Sequence, residues 1–440
     1  MRRTALGALG VATLALTACG GGGDGEDAAL DYWLWDANQL PAYQQCVSDF
    51  TADTGIDVEV TQMGWDDYWS SVTNGFVADT APDVFTNHLS RYPEFVANGQ
   101  LLALDDLEAT SAVDTSVYNE GLADLWVAED GQRYGLPKDW DTIALFYNEQ
   151  LLDDAGYTAA DLADLTWNPD DGGTYEDVIA HLSVDKNGVR GDEDGFDQNN
   201  VAVYGLGLNG AGSGQGQTEW SYLTGTTGWT HTDKNPWGTH YNYDDPDFQA
   251  SMAWFASLTE KGFMPKLETT VGASMADTFA AGKSALNANG SWMIGQYTGY
   301  DGVDVGIAPT PTGPSGERAS MFNGLADSVY AGTDHPEEAA QLVSYLGSAD
   351  CQDVVAESAV VFPAITTSAE KAAAAYDARG VDVSPFTTHV EEGSTFLFPI
   401  TAHASQIDGI MAPAMDAVVS GKSPASSLSQ ANDQVNALFD

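Results

Sequence analysis

Gly135–Tyr157 reads GLPKDWDTIALFYNEQLLDDAGY. Pro137 fixes its own backbone and turns Leu136 away from the helical region, so the segment opens extended. A helix follows and runs out towards Gly156. Upstream, the chain keeps a different rhythm. LDYWLWD (Leu30–Asp36) alternates as a strand, with Leu30, Tyr32 and Leu34 on one side and Trp33 and Trp35 on the other. A helix with Pro41 in its first turn and Gly55 just past its end comes next. IDVEV is a second strand, WDDYWSSVTNGFVA a helix, and APDVFTN a third strand. Strands alternating with helices indicate βαβ units and a mostly parallel sheet. The Gly135–Tyr157 segment therefore reads as a crossing out of one α/β unit, and a second βα series continues to about Ile307.

With 440 residues the chain exceeds what one hydrophobic core organises, so two domains are expected. Asn168 to Pro246 is rich in Gly, Asn, Asp and aromatics and reads as loops with short elements, where ligand contacts concentrate. VDVGIAPTPTGP is a strand leaving into a turn, and HPEEAAQLVSYL a helix with Glu337 and Glu338 favourably placed in its first turn. Two C-terminal helices bury Ile407, Ile410 and Met411, then Leu428, Val435, Leu438 and Phe439.

The N-terminus addresses the compartment. Arg2 and Arg3 precede an apolar run, Ala5–Ala18, of signal-peptide length and too short to span a bilayer. Leu16-Thr17-Ala18-Cys19 resembles a bacterial lipobox, which implies cleavage before Cys19 and its acylation; residues 19–28 then form a glycine-rich tether. The expected localisation is the extracytoplasmic face of the cell membrane.

Fifteen basic residues face 65 acidic ones, a net charge of −50, which opposes binding to nucleic acid or anionic headgroups. Beyond Cys19, two cysteines remain. Cys46 and Cys351 each lie on the apolar face of a helix, as two buried free thiols or as one bridge; outside the membrane the bridge is the expectation. No P-loop, dinucleotide fingerprint, nucleophile elbow or metalloprotease motif occurs, and the seven histidines lack ligand spacing. No cofactor is expected. Asp185, Asn187 and Asp192 form a degenerate calcium loop that lacks the turn glycine and the closing glutamate.

Twelve tryptophans are a heavy load, and several sit in polar contexts. Indoles stack on the C–H faces of sugar rings while neighbouring Asp, Asn and Arg take hydroxyls. Trp126, Trp167 and Trp254 are assigned to the core.

Taken in order, FTADTGIDVEV, WDDYWSSV, APDVFTN, ANGQLLALDDL, the Gly135–Tyr157 segment, FAAGKSALNANGSWMIG, VGIAPTPTGP and VSGKSPASSL resemble the extracellular solute-binding proteins of carbohydrate ABC transporters, over nearly all of residues 29–440. The resemblance implies an α/β, two-lobed periplasmic-binding-protein fold with an inter-lobe cleft. Lobe 1 would comprise 29–138 with 328–370, and lobe 2 144–322 with 375–440, joined by crossings at 139–143 and 323–327. It implies sugar contacts from Trp35, Asp36 and Asn38 after the first strand, and from Asn87, His88 and Arg91 after the third. Trp140 and Asp141 would contribute at the crossing, and Asn289 and Trp292 at the NGSW turn. Trp65, Trp220 and Trp229 complete the expected set from the aromatic reading. The implied function is a monomeric, lipid-anchored receptor that captures a small oligosaccharide and delivers it to membrane permease subunits, without enzymatic activity. An extracellular carbohydrate-active enzyme, a lyase or hydrolase, is the alternative.

Overall fold

The computed structural model describes residues 29–440; the expected signal peptide, Cys19 and the expected tether lie outside the described residues. Twelve strands follow in chain order: β1 (Ala29–Leu34), β2 (Asp57–Gln62), β3 (Val84–His88), β4 (Leu136–Asp141), β5 (Ile143–Asn148), β6 (Val184–Asp185), β7 (Val201–Leu206), β8 (Ser284–Gly290), β9 (Val305–Ala308), β10 (Ser320–Val329), β11 (Phe362–Pro363) and β12 (Thr395–Leu397). They form two sheets. One has the order β11-β4-β10-β3-β1-β2, with β12 on the start of β10; the other has the order β6-β7-β8-β5-β9.

The first three strands run as expected. β1 lies between β2 and β3, parallel to both, and buries Leu30, Tyr32 and Leu34. The helix Leu40–Thr54 carries Pro41 in its first turn and stops at Gly55, whose φ of 78° suits a residue without Cβ. The mostly parallel sheet is corrected: β10 is antiparallel to β3 and β4, β11 antiparallel to β4, and β5 antiparallel to β8 and β9, so both sheets are mixed. The Asn168–Pro246 segment is also more regular than its composition suggests. It contains a helix, Gly173–Leu182, and β7, which runs parallel to β8 inside the second sheet.

The chain passes between sheets at one residue. β4 ends at Asp141 and β5 begins at Ile143. Thr142, fully buried, donates its hydroxyl to the Phe386 carbonyl at 2.9 Å, and the Ile143 N–H donates to Ser320 Oγ at 2.7 Å. β10 makes the return beside it, entirely buried, pairing first with β12 and then with β4 and β3. These two crossings sit side by side, Asn323 opposite Asp141.

Helix Leu40–Thr54 is bonded to helix Ala349–Ser358 by a disulfide between Cys46 and Cys351, Cα atoms 5.1 Å apart and 305 residues apart in sequence. Behind β4 lies a buried ion pair. Lys138 Nζ stands 3.7 Å from Asp327 Oδ1 and donates to Thr86 Oγ1 (2.9 Å) and Tyr32 Oη (3.1 Å), both of which donate to that same Asp327 oxygen. Lys138 also lies 3.8 Å from the centre of the Tyr43 ring. Side chains alternate along a strand, so this cation points away from the face that carries Asp139.

Among the described residues, no helix is long and apolar enough to cross a membrane.

Candidate functional site

The ends of β1, β3, β4 and β8 and the loop after β7 converge on one cleft of about 540 Å³ between the two sheets. Carboxyl ends of strands are where α/β proteins hold ligands, and this volume lies within the ~300–1,000 Å³ of small-molecule sites.

From the first sheet come Trp35, Asp36, Asn38 and Gln39 after β1, Trp65 at the start of the helix Trp65–Ala78, and His88 at the end of β3. Trp35 and Trp65 meet edge to face, ring centres 5.1 Å apart, and Trp35 is backed by Tyr68 at 5.2 Å. Trp65 is 42% exposed. An indole so placed has an apolar face free for a ligand. The Asp36 carboxylate accepts the Asn38 N–H (2.7 Å) and the Gln39 amide (3.2 Å). Burial still holds its pKa above the usual carboxylate range.

The crossings contribute Asp139, Trp140, Asp141, Asn323 and Leu325. Asp141 is clamped: Gln217 Nε2 donates to one oxygen at 2.8 Å and Asn323 Nδ2 to the other at 3.1 Å. Burial raises its pKa well above the usual value, with the neighbouring Asp139 adding to the rise. Burial likewise pushes Asp139 up to about 7 against the pull of Lys138. The His88 ring goes the other way. Burial, then the Arg91 charge, lowers it to about 3, so it is neutral, with Nε2 3.1 Å from Asn323 Nδ2. Trp140 is packed between Phe362 and Phe322, near-parallel at 4.7 and 5.8 Å, one on each neighbouring strand. Its faces are covered, so it offers the cleft an edge and not a stacking platform.

The second sheet supplies Asn209, Gln217 and Thr218 from the loop after β7, then Asn289 near the end of β8 and Trp292 and Gln296 beyond it. The NGSW turn places Trp292 for a local reason: a Cβ on Gly290 would stand 1.8 Å from Trp292 Cζ3, so the indole can lie against the backbone only because residue 290 is glycine.

Nine of the thirteen sugar-contact residues expected from sequence therefore line one cleft: Trp35, Asp36, Asn38, Trp65, His88, Trp140, Asp141, Asn289 and Trp292. Four do not, and these expectations are corrected. Asn87 is fully buried between strands, its amide donating to Ser328 Oγ at 3.1 Å. Arg91 lies over the Trp69 ring at 5.6 Å and reaches Ser405. Trp220 is buried over Gly216 with its N–H on the Ala211 carbonyl, and Trp229 stacks on Phe248 at 4.3 Å with its N–H on the Asn242 carbonyl. Both indoles belong to the second-sheet core.

Asp139, Gln217, Thr218, Asn323 and Gln296 were not anticipated. Asn323 lies in the FNGLADSVY segment recognisable as the second crossing, so it carried a readable signal; Asp139, two residues from Asp141 on the same face of β4, is one of 65 acidic residues and did not stand out among them. The acidic loop is occupied internally. Asp185 accepts N–H groups of Asn187, Val189 and Asp197, while Asp192 sits 2.8 Å from His181 Nδ1. Among the described residues no group of three or more His, Cys, Asp or Glu could hold a metal ion.

The bacterial extracellular solute-binding protein family matches residues 45–379. The chain belongs to that family. It is a solute-binding protein and not an enzyme. It is similar to the maltodextrin-binding protein MdxE of Bacillus subtilis, 25% identical over 326 residues that cover 73% of this chain and 70% of that one. In structure it is similar to the ABC substrate-binding protein Lmo0181 of Listeria monocytogenes in complex with cycloalternan, with a TM-score of 0.79 at 17% identity, covering 94% of this chain and 99% of the other. It is also similar to the GacH receptor of Streptomyces glaucescens, with a TM-score of 0.75 at 21% identity, covering 94% and 97%. These likenesses establish the two-lobed binding-protein fold.

Proposed function

We propose that this protein captures an oligosaccharide in the cleft and presents it, unchanged, to the permease of an ABC importer. One observation carries the reading: the cleft-lining indoles Trp35, Trp65 and Trp292 stand around buried hydrogen-bonding groups, Asp139, Asp141 and Asn323, at the meeting of two sheets. Rings satisfy the C–H faces of a sugar and the polar groups its hydroxyls. The relatives that bind maltodextrin or cycloalternan support the class of ligand. A sugar held by both lobes favours their closed arrangement by its differential affinity alone.

The lipobox-like LTAC and the glycine-rich run after it support anchoring through Cys19. The full chain should fractionate with membranes and Cys19→Ser should not; a cleaved, membrane-bound Cys19→Ser protein would refute the anchor. The capture itself is tested by thermal shift across a panel of neutral and amino oligosaccharides. A ligand at a hundred times its Kd adds ~2.7 kcal/mol of stability, so a cognate sugar should raise the melting temperature by several degrees. No shift with any sugar would refute the reading.

A further inference from the structure

We propose that the captured sugar carries a protonated amine, and that Asp139 and Asn323 receive it. This rests on the oligosaccharide reading above and names the ligand more narrowly.

The cleft contains acceptors that nothing in the protein satisfies. Asp139 and Asn323 are each 2% exposed and both line the cleft, yet Asp139 Oδ2 and Asn323 Oδ1 make no hydrogen bond. Buried polar atoms without partners are rare because each forfeits its solvation. Two orphaned acceptors ask for donors. An ammonium brings three donors and no acceptor, whereas a hydroxyl brings one donor and its own lone pairs.

Charge points the same way. Asp36, Asp139 and Asp141 line the cleft, and among the described residues no lysine or arginine does. Lys138 is engaged behind β4 with Asp327, Tyr32 and Thr86. A buried carboxylate with no cation bonded to it is unfavourable, Lys138 acting on Asp139 only through space, and a cationic ligand supplies a bonded partner. The walls suit a cation as well, since indole faces attract ammonium groups through the ring quadrupole. The net charge of −50 favours approach of cations over anions.

The test uses three disaccharides with the same β-1,4 linkage that differ at C2: chitobiose with free amines, N,N′-diacetylchitobiose, and cellobiose. Each is titrated calorimetrically into the full chain at one pH and ionic strength. Chitobiose should bind at least tenfold more tightly than either of the others. Asp139→Asn, checked for folding by circular dichroism, should reduce that preference to threefold or less. Equal or tighter binding of cellobiose or the acetylated sugar overturns the amine proposal and leaves sugar capture standing. Failure of all three to bind also overturns it, and the wider thermal-shift panel then decides on sugar capture separately. An unchanged preference in Asp139→Asn would remove Asp139 from the role.

Discussion

Gln217 Nε2 donates to Asp141 Oδ1 at 2.8 Å, joining the loop that follows β7 of the second sheet to the last residue of β4 in the first. With Asn323 on its other oxygen, Asp141 is held from both crossings and from both sheets. Its orientation is therefore fixed before a ligand arrives, which reduces the ordering cost of binding.

Asp141→Ala removes that centre. Gln217 and Asn323 lose their shared acceptor, and a buried donor left without one costs ~1–3 kcal/mol. Affinity for the cognate sugar should fall by at least tenfold in calorimetry, with a far-ultraviolet circular dichroism spectrum like that of the unaltered protein.

Asp139→Asn should change how stability depends on pH. The folded protein holds the Asp139 pKa up at about 7 by burial, above the ordinary carboxylate value near 3.9. The folded state then binds more protons than the unfolded state between about pH 4 and 7. The contribution is fully present below pH 4 and lost as pH rises through 7, amounting to roughly 4 kcal/mol at most. Asp139→Asn should match the unaltered protein near pH 4 and exceed its stability at pH 8, measured by denaturant unfolding without ligand. A constant difference across that range would contradict the shifted carboxyl.

Lys138→Met should destabilise strongly. It strands Asp327, whose second oxygen already has no partner, and breaking one side of a buried pair costs ~3–5 kcal/mol. Chemical denaturation measures this directly; a loss below about 1 kcal/mol would contradict a buried pair that depends on Lys138.

Removing the bridge by Cys46→Ser with Cys351→Ser should lower stability by ~2–4 kcal/mol, as for other long-loop disulfides. Both side chains are fully buried, so the double variant should fold but melt several degrees lower. Sugar affinity should be unchanged, because the bridge lies in the core beside β1 and away from the cleft.

Much of the first lobe was legible because its signals are local. Period-two burial in Leu30–Leu34 and Pro41 and Gly55 around one helix act over a few residues, as does the NGSW turn of the second sheet. Strand direction is not local: nothing in FNGLADSVY distinguishes a parallel from an antiparallel neighbour, so the mixed sheets had to be observed. The site divided along the same line. Trp292 and Trp220 both sit in polar, glycine-containing stretches, and each lies over a glycine that makes room for it, Gly290 and Gly216. One indole faces the cleft and the other the core, a distinction that only the packing of Phe248, Trp229 and His231 around Trp220 makes visible. Asp139 was hidden for a different reason: with 65 acidic residues in the chain, a carboxylate two positions from Asp141 carries little information until its burial is known.

Capture between the lobes is tested most directly at Trp292, which brings an indole from the second sheet into a cleft whose other lining indoles, Trp35, Trp65 and Trp140, come from the first. The measurement is a calorimetric titration of the unaltered protein and of Trp292→Ala with the oligosaccharide that gives the largest thermal shift, followed by recovery of the sugar. Binding should be at least tenfold weaker in the variant, about 1.4 kcal/mol or more, with the sugar recovered intact. Equal affinity in the two proteins would place the binding site elsewhere, and a cleaved sugar would contradict a binding protein altogether.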